Sequence, residues 1–187
     1  MILGLDISTS CTGWCVLDDD KFINMGYIDT SKIKCMIKKS KHVRDEFLKL
    51  ILRYEIDKVC IEENLQAFRP GLSSAKTLLT LARFNGIVSY IANDIFDCMP
   101  SYVNVNTARK LNGIKIDRKI KANTKEQIQL WVANHLAANG FIYAWPKKTL
   151  KSGPRAGMTV LQPGCFDAAD AYVIANAYYV EQLKNIV

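Results

Sequence analysis

Short apolar runs crowd the first thirty positions of the chain. Ile2-Leu3-Gly4-Leu5 ends on Asp6, Gly13–Leu17 follows a polar gap, and Phe22–Tyr27 follows the triplet Asp18-Asp19-Asp20. Runs this short, separated by turn-forming residues, predict three strands, Ile2–Asp6, Gly13–Leu17 and Phe22–Tyr27, with a hairpin turn at the aspartates. The period then changes. Val43, Phe47, Leu50 and Ile51 recur at helical spacing and predict an amphipathic helix over residues 41–54. Asp57–Glu63, with its apolar centre Val59-Cys60-Ile61, has the character of a buried parallel strand. A loop over residues 64–73 precedes a long helix from about Ser74 to Phe96. A strand at Tyr102–Val105 and a short helix at Asn106–Leu111, capped by Asn106, come next. Gly113–Asn123 is turn-like. Thr124 to Asn139 reads as a helix with Gly140 as its C-cap. Residues 141–164 carry repeated Pro and Gly and read as loop, and a final helix covers about Phe166 to Leu183.

Three strands, then helices alternating with strands, predict an α/β architecture: a mixed five-stranded sheet flanked by helices. No repeat or long linker interrupts residues 1–187, so one domain is expected. Parallel pairing of the first and fourth strands would bring Asp6 beside Glu62, at the carboxyl ends where such sheets carry their sites.

Composition narrows the possibilities. An apolar fraction of 49% and a charged fraction of 23% are those of an ordinary globule. No apolar run approaches about 18 residues, so no membrane-spanning helix is expected. A secretory signal is not indicated either. Cys11, Cys15, Cys35, Cys60, Cys98 and Cys165 form no C-x-x-C pair, and His42 and His135 are the only histidines. A zinc site is therefore poorly supported, and a reducing cytoplasm is the expected location. The formal charge is +7, from 25 basic and 18 acidic side chains. A basic surface of this kind suits a polyanionic partner.

The acids carry the candidate chemistry. Asp167 and Asp170 stand three residues apart at the start of the last helix, on one face, with Cβ atoms about 5–6 Å apart. Asp6 ends one buried strand, and Glu62 or Glu63 ends another; strand alternation alone does not choose between those two. Carboxylates ending buried strands need partners. Two strand-end acids plus a D-x-x-D pair can hold divalent metal through hard oxygen ligands, which suits Mg²⁺. Beside basic surface, that set suggests phosphodiester cleavage.

The same residues occur in a familiar order. Ile2-Leu3-Gly4-Leu5-Asp6, followed by Thr9, Gly13, Trp14 and Val16, resembles the opening of RuvC-type Holliday junction resolvases, a branch of the ribonuclease H-like fold. Val59-Cys60-Ile61-Glu62-Glu63 resembles their second acidic strand, and Leu81-Ala82-Arg83-Phe84-Asn85-Gly86 the start of their long helix. Thr124-Lys125-Glu126-Gln127 is similar to their catalytic-lysine segment. Asp167-Ala168-Ala169-Asp170-Ala171 resembles their closing motif. The resemblance spans nearly the whole chain. Ile7-Ser8 stands where the family usually has a Gly turn, and Leu65 where it has a stacking aromatic. The stretch 144–163 is longer than in compact bacterial members. Such divergence suggests a bacteriophage or viral version.

The resemblance implies a ribonuclease H-like nuclease with Asp6, Glu62, Asp167 and Asp170 as ligands and favours Glu62 over Glu63. Two Mg²⁺ ions, with Mn²⁺ as substitute, and a catalytic Lys125 complete that centre. It implies a homodimer acting on branched DNA, chiefly four-way junctions, by paired incision. The candidate dimer surface is the long helix, through Leu78, Leu79, Ile87, Val88 and Ile91; ordinary packing within the chain is the alternative for these residues, and the two roles are compatible. Phe68 could stack on an unpaired base. Arg69, Arg83, Arg109 and Lys110 are candidate phosphate contacts, as is the basic turn of Lys115, Arg118, Lys119 and Lys121. A second basic cluster over 147–155 has the same sign. The alternatives are a ribonuclease H-type enzyme on RNA–DNA hybrids and a non-catalytic branched-DNA-binding module. An actin-like or sugar-kinase-like ATPase needs a second domain that 187 residues do not supply.

Overall fold

A computed structural model describes residues 1–63, 75–120 and 122–186. Phe68, Arg69 and Lys121, and the predicted loop over 64–73, lie outside the described residues. The strands are β1 (Ile2–Ile7), β2 (Cys11–Asp18), β3 (Lys21–Asp29), β4 (Lys58–Glu62), β5 (Ser101–Val103), β6 (Lys147–Thr149) and β7 (Thr159–Leu161). The helices are α1 (Met36–Ile51), α2 (Ala75–Phe96), α3 (Val105–Leu111), α4 (Thr124–Ala138) and α5 (Gly164–Ile186).

Five strands form one sheet in the order β3-β2-β1-β4-β5. β1, β2 and β3 pair antiparallel, while β1–β4 and β4–β5 pair parallel. Alternation along β1 divides the core into two layers. Leu3, Leu5 and Ile7 face α1 and α2, packing with Val43, Phe47, Phe84 and Val88. Ile2 belongs to the opposite layer, with Cys15, Leu17 and the buried face of α5. That second layer decides the site, because α5 lies directly on the strands there. Gly4 and Gly13 are where it touches: a Cβ on Gly4 would stand 2.7 Å from the Ala175 Cβ, and one on Gly13 would stand 2.8 Å from the Ala168 amide nitrogen. Ala168, Ala171 and Ala175 complete the close seam with their own small side chains.

Several elements depart from expectation. α1 begins at Met36 rather than near residue 41, because its N-cap, Cys35, makes no side-chain capping bond and gives no starting signal. Asn104, not Asn106, caps α3: its side chain accepts from the Asn106 amide. For α4 the cap is a reciprocal pair, Asn123 accepting from the Glu126 amide while the Glu126 carboxylate accepts from the Asn123 amide. Its C-cap is Asn139, and Gly140 follows in the left-handed region at φ +81°. The predicted loop over 141–164 contains the β6–β7 hairpin. Val88 and Ile91, assigned to a dimer surface, are buried in the core beside Phe47. The faces of α2 turned outward carry Leu79 and Tyr90, 61% and 69% exposed.

Candidate functional site

Four acids reach one place by three routes. Asp6 has the side-chain parity of Ile2 and Gly4, so it points to the α5 side at the carboxyl end of β1. Parallel pairing of β1 with β4 runs in register through Leu5↔Ile61, which sets Glu62 beside Asp6. Cys60 faces the α5 layer, and Glu62, two residues on, shares that face. α5 starts at Gly164, so Asp167 falls in its first turn and Asp170 one turn later. A cavity of about 480 Å³ is lined by Asp6, Glu62, Asp167 and Asp170 together with Lys125 and Arg109. Glu63 is not among its walls; its amide donates to the Val103 carbonyl.

The cations are placed by capped helices. The Asn123–Glu126 box fixes the first turn of α4, and Lys125 Nζ donates from it to Asp167 Oδ1 at 2.8 Å. Arg109 comes from the last turn of α3 and has a buried Nε that donates to nothing among the described residues.

Burial raises three of the acids, and these cations offset only part of it. Burial, then the charges of Glu62, Asp170 and Asp167, holds the Asp6 carboxyl well above the usual carboxylate range. Burial and Asp170 push Glu62 up to about 7, with Arg109 and Lys125 opposing. Burial raises Asp170 to about 6 against the pull of Lys125 and Arg109. For the Lys125 ammonium, burial works downward, but its bond to Asp167 and the charges of Asp167, Asp6 and Asp170 raise it overall.

A cluster held in this state costs the fold stability. Between about pH 4.5 and pH 7 the folded chain keeps the Glu62 proton that the unfolded chain has lost, so stability falls as pH rises through that window. Asp170 acts the same way from 3.8 to about 6. Glu62→Gln is therefore expected to be more stable than the parent at pH 8 in chelator, by about 2–3 kcal/mol, and closer to it at pH 5. Urea unfolding at both pH values checks this; a variant weaker than the parent at pH 8 would show that Glu62 is stabilised where it stands.

Among the described residues, no group of three or more His, Cys, Asp or Glu side chains is drawn into metal-holding geometry. Four acids nevertheless line one cavity. The donor set itself is all carboxylate oxygen, and its mutual repulsion is what a hard divalent cation would relieve, so the residues fit such an ion.

Basic surface adjoins the acids. Arg109 is shared with a second cavity of about 450 Å³, whose other charged walls are Lys110, Lys115 and Arg118. Lys119 is exposed on the same turn, and Arg83 is exposed on α2, outside the acid cavity. On the far side, Asp167 is shared with a third cavity of about 310 Å³, reached by Lys148 and Tyr27. Sequence reasoning missed the seam glycines, Gly4 and Gly13, whose signal is a glycine inside an otherwise apolar strand.

No family model matches the sequence, and no curated protein sequence matches it. Solved structures do. Thermus thermophilus RuvC superposes with a TM-score of 0.62 at 17% identity, over 98% of this chain and 96% of that one. The same organism's RuvC in complex with Holliday junction substrate gives 0.62 at 16%, over 97% and 94%. The yeast mitochondrial Holliday junction resolvase Ydc2 gives 0.51 at 13%, over 98% and 80%. With the sheet order and flanking helices, these likenesses establish a ribonuclease H-like α/β fold. Among the described residues no helix is long and apolar enough to cross a membrane.

Proposed function

We propose that the chain is a metal-dependent, structure-selective DNA endonuclease that resolves four-way junctions as a homodimer. The observation that carries this reading is the meeting of Asp6, Glu62, Asp167 and Asp170 with Lys125 in one cavity whose wall continues into basic surface through Arg109. Asp6, Glu62, Asp167 and Asp170 would hold Mg²⁺, or Mn²⁺ in its place, which when bound supplies charge neutralisation and an activated water for phosphodiester hydrolysis. Lys125, already a donor to a carboxylate oxygen, is suited to stabilise negative charge building on the scissile phosphate. Arg109, which lines both the acid cavity and the basic one, would meet a phosphate oxygen with its guanidinium. Lys110, Lys115, Arg118 and Lys119 would follow the backbone beyond it. The likeness in fold to RuvC and Ydc2 supports the same reading.

A junction has near two-fold symmetry, and a C₂ dimer would offer it two equivalent centres. Leu79 and Tyr90, exposed on α2, are apolar groups that such a contact would cover.

The test is cleavage by the purified protein in Mg²⁺ of matched four-way, flap, linear and RNA–DNA hybrid substrates, with mass measured by light scattering. Paired nicks near the branch that ligase can seal, little cutting of linear duplex, and a mass twice the 21.1 kDa chain are expected. Cutting of the RNA strand in the hybrid with junctions untouched would overturn the assignment in favour of a ribonuclease H. A monomer both free and on DNA would remove paired incision.

A further inference from the structure

From Gln127 to Phe166 the chain contains no acidic residue, and inside that stretch lie Lys147, Lys148, Lys151 and Arg155. The structure gathers these four on the β6–β7 ribbon, a two-stranded sheet separate from the main one. All four are exposed, and none joins an ion pair among the described residues. Lys147 and Lys148 are neighbours on one strand, opposite Leu161 and Val160, so each face of the ribbon carries one lysine. Lys151 and Arg155 stand at the tip, which is closed by bonds from the Leu150 amide to Met158 and from the Gly157 amide to Leu150.

The ribbon is rooted beside the acids. Its base is held by the Gln162 amide and the Cys165 thiol, both donating to the Pro146 carbonyl, and by the Tyr27 hydroxyl on Gln162. Lys148, Gln162 and Asp167 line one cavity, which shares Ser10, Pro163 and Asp167 with the acid cavity. The acid cavity shares Arg109 with the basic cavity on its other side. Acids are thus flanked by cations in both directions, and the ribbon continues the second direction outward.

We propose that the β6–β7 ribbon is a DNA arm that enters the major groove of the duplex flanking the scissile strand. The inference rests on the branched-DNA reading and adds a contact to it, apart from the surface at 109–119. Standing edge-on, a two-stranded ribbon with side chains on both faces, about 10 Å thick, fits a groove about 12 Å wide. A lysine on each face meets the phosphate wall on each side, and the two tip cations reach forward along the groove.

The test compares the parent with Lys147→Ala/Lys151→Ala/Arg155→Ala, whose exposed changes spare the fold. Binding is measured in chelator against salt on long-armed junctions and on junctions with arms cut short of the ribbon; cleavage is measured at saturating DNA. On long arms the variant's plot of log Kd against log salt should be flatter by about 2–3, since each neutralised phosphate contributes about 0.9. Its affinity there should be roughly 10- to 100-fold weaker. Short-armed junctions should bind both proteins equally, and the saturated cleavage rate should stay within about two-fold. A parental salt slope on long arms, or an equal loss on short arms, would overturn the ribbon's role while parental cleavage leaves the nuclease reading standing. A parent that neither binds nor cuts branched DNA would remove both.

Discussion

Asp170→Asn is expected to bind a four-way junction as tightly as the parent and to cut it roughly 10³-fold more slowly or worse, a rise of about 4 kcal/mol in the barrier. The change keeps the volume of a side chain that is only 9% exposed and removes one charge from a crowded cavity, so folding is preserved. Asp6→Asn should behave alike, because Asp6 lines the same cavity and feels the charges of Glu62, Asp170 and Asp167. Lys125→Ala removes a stabiliser of charge rather than a ligand and should cost about 10²-fold. Single-turnover cleavage beside a binding isotherm separates the two quantities. Near-parental cutting by Asp170→Asn would take α5 out of the centre and leave the strand-end acids to be explained otherwise.

Gly13→Val is expected to cost more than about 3 kcal/mol and to abolish cleavage. A side chain there collides with the Asp167 carbonyl and the Ala168 amide, both backbone, so no rotamer change relieves it. Gly4→Val presses on the Ala171 carbonyl and the Ala175 Cβ in the same seam. Gly86 supplies the contrast. It lies mid-helix in α2, and a Cβ there meets nothing within 4 Å, so Gly86→Ala should stabilise by about 0.5–1 kcal/mol. Urea unfolding of the three variants checks both signs. Parental stability in Gly13→Val would mean that α5 has room to shift, and the cleavage assay would then report how far the acids moved with it.

The sheet was legible because its strands are short apolar runs that end on acids or turns, and because β1 and β4 are too far apart in sequence to pair by a hairpin. The convergence of Asp6 with Glu62 followed from that pairing. Glu62 could not be separated from Glu63 by pattern, since Val59, Cys60 and Ile61 are apolar towards both layers; the packing of Cys60 against the α5 layer supplies the parity. Other features left weak traces. Cys35 starts a helix without a capping bond, and Asn104 and Asn106 offer equal caps one residue either side of the true first turn. Lys-Lys-Thr and Thr-Val-Leu are too short and too exposed to show alternation, so β6 and β7 read as loop. The apolar residues of α2 looked available for a partner because a helix pattern does not say which structure receives its buried stripe. Val88 and Ile91 are taken by Phe47's layer instead.

The order in which the acids occur along the chain has a consequence for synthesis. Asp6 and Glu62 are on strands that emerge from the ribosome early, whereas Asp167 and Asp170 come with α5, which closes one whole face of β1 and β2. A nascent chain stopped anywhere before α5 has a sheet with one face uncovered and half of its carboxylates missing. Domains fold as units once their last element is available. On the proposed reading, a nuclease built this way gains its full set of acids only once α5 has been made and has docked on the sheet.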